Sequence, residues 1–145
     1  MSSNAVHAKP PLQSAVALLA AAGLPWSDLT EAHLEHFRFC GPSDALTGLV
    51  GLEIYGCDAL LRSLVVVPGA QYGGLGSRLV QEAERHAFEK GVRSLYLLTT
   101  TAQGFFLHRG YRPASRETCP AAIRSTTEFA SLCPASSAFL MKTLT

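Results

Sequence analysis

The stretch from Leu60 to Gly91 has the residue types and spacing of an anion site. An apolar run ends at Val66-Val67-Pro68, Gln71-Tyr72-Gly73-Gly74-Leu75-Gly76 follows, and an amphipathic helix starts at once. Glycines let backbone N–H groups approach a diphosphate closely, and the new helix directs its positive end at it. Two other phosphate loops do not fit. No lysine follows Gly76, as GxxxxGK[ST] requires. Counting GxGxxG from Gly74 and Gly76 puts Leu79 at the third glycine, and a hairpin rather than a βαβ unit precedes the loop.

The elements that must position this loop are legible from period and punctuation. Ala5–Ala8 has room for a short strand. Leu12–Ala22 reads as a helix stopped by Gly23 and Pro25. Ser27 or Thr30 can cap a second helix, on which Leu29, Ala32, Leu34 and Phe37 form an apolar stripe. Leu46–Tyr55 reads as a β-type run and Leu60–Val67 as a continuous apolar strand interrupted only by Arg62 and Ser63; joined by Gly56-Cys57-Asp58, they predict an antiparallel hairpin. Leu75–Lys90 is the clearest helix, with Leu75, Leu79, Val80, Ala83 and Ala87 on one face. Leu95–Thr99 predicts a strand, Ala102–Arg109 a short helix and Tyr111–Ala114 a strand. Pro120–Leu132 predicts a helix and Ser137–Leu144 a final strand. This order implies a mixed α/β sheet with helices on both faces. Residues 1–10 are expected to be partly flexible, and 11–145 to form a single domain.

Composition removes several classes of function. Lys and Arg number 12 against 11 Asp and Glu in 145 residues, a net charge of +1, which leaves no basic field for nucleic acid. Hydrophobic residues make up 48% and charged residues 16%, the opposite of a disordered chain. No apolar run reaches the ~18 residues of a membrane span. The N-terminus lacks the pattern of a signal peptide, so the expected compartment is the cytoplasm. Cys40, Cys57, Cys119 and Cys133 form no CxxC pair and read as reduced, packed thiols. His33 and His36 could offer two ligands from one helix, but exposed helix residues are the better reading, and no metal is expected.

The pattern Val66-x-Pro68-x-x-Gln71-x-x-Gly74-x-Gly76 resembles motif A of the GNAT superfamily, the acyl-CoA-dependent N-acetyltransferases. Downstream, Ala102-x-x-Phe105-Phe106-x-x-x-Gly110-Tyr111 resembles motif B in register. The resemblance implies a mixed, mostly antiparallel sheet of six to seven strands, splayed at the fourth and fifth and flanked by helices on both faces. A finer likeness, to the arsenic-resistance branch, rests on three segments. They are Gly51-Leu52-Glu53-x-Tyr55-Gly56 with Ala59–Leu64, Thr99-Thr100-Thr101-Ala102, and Phe129-x-x-Leu132-Cys133-Pro134-x-Ser136. That branch resembles amino-acid N-acetyltransferases.

The resemblance implies acetyl-CoA as co-substrate and a role for each matched residue. The backbone of Leu64, Val65 and Val66 would pair with the pantetheine arm, one N–H holding the thioester oxygen. Amides of Gln71, Tyr72, Gly73, Gly74, Leu75 and Gly76 would hold the pyrophosphate, with Arg78 adding a charged contact or simply facing solvent. Glu53, the one acid in its apolar strand, is the expected base or, alternatively, a holder of the substrate ammonium. Phe106 stands where many members carry the tyrosine that protonates the thiolate. The acid is then water, Tyr111 or Tyr55, and Phe106 packs against cofactor or core. Thr99 stands where many members have an asparagine. Arg62 either clamps a substrate carboxylate, with Tyr55 beside it, or pairs with Glu53 on the adjacent strand.

The implied activity is acetyl transfer to a small-molecule amine, an amino acid or an arsenical analogue. A non-catalytic acyl-CoA sensor and a protein N-acetyltransferase are the alternatives. Ser137–Leu144, as a final strand with an open edge, is available for pairing in a homodimer.

Overall fold

A computed structural model describes residues 5–132 and 136–145, without the side chains of residues 71–73, 131 and 132. The β-type runs become seven strands: β1 (His7–Ala8), β2 (Phe37–Cys40), β3 (Gly48–Tyr55), β4 (Asp58–Val66), β5 (Ser94–Thr99), β6 (Arg112–Pro113) and β7 (Ala138–Thr143). They form one sheet in the order β1-β2-β3-β4-β5-β7-β6. Neighbours are antiparallel except β4 and β5, which run parallel. The helices are α1 (Leu12–Ala21), α2 (Leu75–Glu89), α3 (Gln103–Leu107) and α4 (Ala121–Arg124). No helix among the described residues is long and apolar enough to cross a membrane.

Side-chain alternation assigns the two faces. Val50 and Leu52 of β3, Ala59 and Leu61 of β4, and Leu95 and Leu97 of β5 pack with Leu75, Leu79, Val80, Ala83 and Ala87 of α2. Burying that stripe is what turns an amphipathic segment into a stable helix. The opposite face carries Leu49 and Phe37 beneath Ala15 and Leu19 of α1, and Leu60 and Phe139 beneath Ile123 of α4. Gly51 makes the first of these contacts feasible, because a Cβ there would meet the Phe37 ring at 2.2 Å.

Two features open the sheet. The parallel ladder between β4 and β5 ends at Leu60–Tyr96, while β4 continues along β3 to Val66 and β5 along β7 to Thr99. The two strands therefore diverge like a wedge. Between the pairs Leu49–Val65 and Gly51–Arg62, β3 contributes one residue and β4 contributes two, a β-bulge at Ser63 and Leu64. Ser63 sits at φ 62, the left-handed region that non-glycine residues rarely adopt. The extra residue inverts the alternation. Ala59 and Leu61 face α2 before the bulge, and Leu64 and Val66 face it afterwards.

Three expectations differ from the structure. The segment after Thr30 is a 3-10 helix, Glu31–His36, capped by a box in which the Thr30 N–H donates to His33 Nδ1 at 3.1 Å. Pro120–Leu132 is not one helix: α4 ends near Ser125 and a π-helical turn, Glu128–Leu132, follows. The Thr126 hydroxyl donates to the Ile123 carbonyl at 2.7 Å and accepts the Phe129 N–H at 3.2 Å, competing with the helical ladder. The last strand is not an edge: β5 flanks β7 on one side and β6 on the other. β6 covers β7 only at Leu140 and Met141, so the edge argument for a dimer through Ser137–Leu144 fails at those positions.

Candidate active site

A cleft of about 630 Å3 fills the wedge between β4 and β5. Leu61–Leu64, Leu97–Ala102 and Phe106 form its inner walls, Gly23–Ser27 its rim, and Glu128 and Ser137 its far side. The glycine-rich loop lies next to it. A Cβ at Gly76 would meet the Phe105 ring at 3.4 Å and the Val66 side chain at 3.8 Å. Gly74, at φ 72, starts α2 with no side-chain cap. The first intrahelical bond runs from Arg78 N–H to Gly74 O, so the N–H groups of Leu75, Gly76 and Ser77 lie ahead of the helical ladder. An uncapped fifteen-residue helix opening beside a cleft fits a bound pyrophosphate. Pro68–Gly73 is a 3-10 turn, and the side chains of Gln71 and Tyr72 lie outside the described residues. Arg78 is exposed. Arg109, absent from the sequence reading, lies over the Phe105 ring and donates to Ser77 Oγ in the first turn of α2.

Arg62 is the centre of the polar part of the site. Its side chain is fully buried, on the face opposite α2. All five guanidinium N–H donors have acceptors. Nε donates to Ser63 Oγ at 3.1 Å. Nη1 donates to Asp28 Oδ2 at 2.5 Å and to Glu53 Oε2 at 2.7 Å. Nη2 donates to Asp28 Oδ1 at 2.8 Å and to the Pro25 carbonyl at 3.5 Å. Burial pulls its pKa down, but the carboxylates outweigh that and hold it above the ordinary arginine value. Asp28, in turn, is held below the usual carboxylate range because Arg62 outweighs the cost of burial. Of the two sequence readings of Arg62, the structure has the pair with Glu53. The expectation that it clamps a substrate carboxylate meets a guanidinium with no donor to spare.

Glu53 is correspondingly occupied. Oε2 accepts from Arg62, and Oε1 accepts the Tyr55 hydroxyl at 2.5 Å. Burial and this hydrogen bond push the Tyr55 phenol upward, so it holds its proton firmly. Neither Glu53 nor Tyr55 lines the cleft. Asp28, His33 and Glu53 place ligand-type atoms within 4.8 Å of one another, but the Arg62 guanidinium already occupies both oxygens of Asp28 and one of Glu53.

Tyr111 points elsewhere. It is 3% exposed and donates to Glu84 of α2 at 2.8 Å, outside the cleft. Burial and that carboxylate raise its pKa far above the ordinary phenol value. As the proton donor to a thiolate it is in the wrong place. Phe106 packs edge-on against Tyr111 in the core, with ring centroids 5.3 Å apart, and also lines the cleft. Thr99 Oγ1 accepts the Ala102 N–H at 3.0 Å, fixing the turn into α3 at the cleft wall. Cys133 lies outside the described residues.

One cleft residue went unnoticed in the sequence. Glu128 lines the far side, 5% exposed, with its Oε1 3.6 Å from Arg62 Nε and no hydrogen bond among the described residues. Burial pushes its carboxyl up to about 7, and Glu53 and Asp28 push the same way against the pull of Arg62. The only sequence signal was an acid set between the apolar residues Ile123 and Phe129.

Comparison with known proteins agrees with this architecture. Residues 35–113, more than half of the chain, match the family model described as an acetyltransferase (GNAT) domain. The chain belongs to the GNAT acetyltransferase family. Over 97 residues it is 39% identical to the amino-acid acetyltransferase of Pseudomonas fluorescens strain Pf0-1, covering 66% of this chain and 22% of that protein. The enzyme of the same name from Pseudomonas paraeruginosa strain PA7 is 38% identical over 69 residues, 48% of this chain and 16% of that one. The chain thus spans about a fifth of the length of these relatives. Among solved structures it superposes on Neisseria gonorrhoeae N-acetylglutamate synthase, complexed with coenzyme A and N-acetyl-glutamate. The TM-score there is 0.80 at 22% identity, over 97% of this chain and 35% of that one. Mycobacterium tuberculosis Rv2747, in complex with CoA, gives 0.76 at 15% identity, over 97% and 99% of the two chains. At these identities the superpositions bear on the fold alone.

Proposed function

We propose that the protein moves the acetyl group of acetyl-CoA to the amine of a small molecule of the amino-acid type, by direct attack in the wedge between β4 and β5. The observation that carries the reading is the wedge itself. Beyond Leu60 the ladder from β4 to β5 stops, Leu61–Leu64 line a cleft, and the uncapped start of α2 lies close by. Backbone N–H groups of the bulged segment Ser63–Val66 are the candidates to pair with the pantetheine arm and to hold the thioester oxygen as charge develops on it. Amides of Leu75 to Ser77 would hold the pyrophosphate. Phe106 and Leu64 supply an apolar wall that keeps water from the reacting carbonyl. The amino-acid class of the acceptor is supported by the names of the matched relatives, and an arsenical amino-acid analogue is its finest form.

A second reading, an acyl-CoA sensor, draws on one observation: among the described residues no tyrosine lines the cleft. Measuring CoA release separates the two. The panel comprises the protein amino acids, the amines left when they lose the carboxyl group, and arsenical analogues. The enzyme reading expects turnover with at least one class. Tight acetyl-CoA binding with no turnover on any of them would replace it with the sensor.

A further inference from the structure

The buried charge around Arg62 does not balance. One guanidinium faces three carboxylates, Asp28 from the cleft rim, Glu53 from β3 and Glu128 from the π-helical turn. Asp28 and Glu53 use the hydrogen bonds, and Nε goes to Ser63. Among the described residues Glu128 receives only the field of the guanidinium, and it turns to the cleft. Ser137 Oγ, buried on the same side of the cleft, also has no partner among the described residues. A buried carboxylate without a hydrogen bond is costly unless something donates to it. When Glu128 is ionised the acids outnumber the guanidinium, so a donor that enters the cleft is favoured there, and a cationic donor most of all.

We infer that Glu128 is the group that receives the acceptor's ammonium in the cleft and takes its proton before attack. The inference rests on the acetyl-transfer reading above and deepens it. The acceptor enters as R–NH3+, donates to Glu128, and gives it one proton. The lone pair freed on nitrogen attacks the thioester carbon. As the C–N bond forms and the C–S bond breaks, the second proton on nitrogen passes to the departing thiolate. The sum is R–NH3+ plus acetyl-CoA giving the acetamide, CoA–SH and one proton, which Glu128 returns to solvent. The charged groups that face Glu128 are Arg62 on β4, Glu53 on β3 and Asp28 before the first 3-10 helix. Burial favours its protonated form most, Arg62 opposes protonation, and Glu53 and Asp28 promote it. In this arrangement Arg62 is a positioning residue. It anchors the other two acids and leaves Glu128 to the substrate.

The test uses the full chain, saturating acetyl-CoA and the best acceptor of the panel. Initial rates of CoA release are measured from about pH 5.5 to 9.5 for the wild type and Glu128→Gln. The wild type is expected to show an acid limb in kcat/KM with a midpoint near the raised value of about 7. Glu128→Gln should lose that limb and about 10²–10³-fold in kcat/KM, with its residual rate rising with the free-amine fraction. KM for acetyl-CoA should stay as in the wild type. An unchanged rate and limb in Glu128→Gln would overturn the inference, as would a slow variant that keeps the limb. Glu128→Asp, one methylene shorter, keeps the charge and guards against loss of folding in the first variant. It should be slowed yet retain the limb, and a full wild-type rate would count against the inference. Turnover by the wild type tests the acetyl-transfer reading by itself. Its absence with every acceptor overturns both readings, whereas normal turnover by Glu128→Gln overturns this one alone.

Discussion

Two ionic clusters flank the sheet, and they are built to opposite rules. On the α2 face, Lys142 faces Glu84 at 3.1 Å, and Glu84 also accepts the Tyr111 hydroxyl. The ammonium completes its set on the Arg109 carbonyl at 2.9 Å. One positive charge meets one negative charge, and every polar group has a partner. On the other face, Arg62 has all its donors engaged, but the acids outnumber it and one of them is left facing a cleft. A closed, neutral cluster ties elements together. An unbalanced one leaves chemistry undone, and it is the unbalanced one that adjoins the open strands.

The largest way to break this contrast is Arg62→Leu. It strands buried carboxylates and should cost about 3–5 kcal/mol in urea unfolding. Lys142→Met, in the half-exposed cluster, should cost about 1 kcal/mol or less. Similar losses from both would erase the distinction. Next is the pH dependence of stability. Burial pushes the folded Glu128 carboxyl up to about 7, from an ordinary carboxylate value of 4.5. The folded state therefore binds more protons between those values, and stability falls as pH rises through the window. Thermal melts of the wild type should decline across it by the equivalent of about 1–3 kcal/mol, while Glu128→Gln stays level. An identical slope in both would show that Glu128 is not the titrating group. Glu53→Gln comes third. It loses a charged hydrogen bond to Arg62 and should cost about 1–3 kcal/mol, with the acid limb of turnover kept. A lost limb would return the base role to Glu53. The smallest effect belongs to Tyr111→Phe, about 1 kcal/mol in stability with turnover unchanged. A large fall in kcat would restore Tyr111 as the acid.

These contrasts mark where the sequence was readable. The strands and α2 follow from period and punctuation, because core burial enforces both. The glycine-rich loop was legible because few other connections need Gly73, Gly74 and Gly76 together. The lone charges Glu53 and Arg62 were conspicuous in apolar strands, and their pairing follows from adjacency. Glu128 was not legible. Its segment has helical spacing, and the side-chain bonds of Thr126 fall where the helix gives way to the π-helical turn that carries the acid. Tyr111 was misplaced because its motif fixes where the backbone lies, not which face its ring takes. Asp28 was hidden in a loop, where no period says which side chain turns in.

The bulge at Ser63 and Leu64 has a consequence for how this cleft can change. It exists because β4 carries one residue more than β3 needs across the pairs Leu49–Val65 and Gly51–Arg62. Substitutions along the strand can alter the lining of the opening, its charge or its size. Removing the bulge is a matter of counting. Deleting Ser63 would restore an even ladder with Leu64 directly after Arg62 and still facing α2, and would take away the residue that β4 holds in the left-handed region.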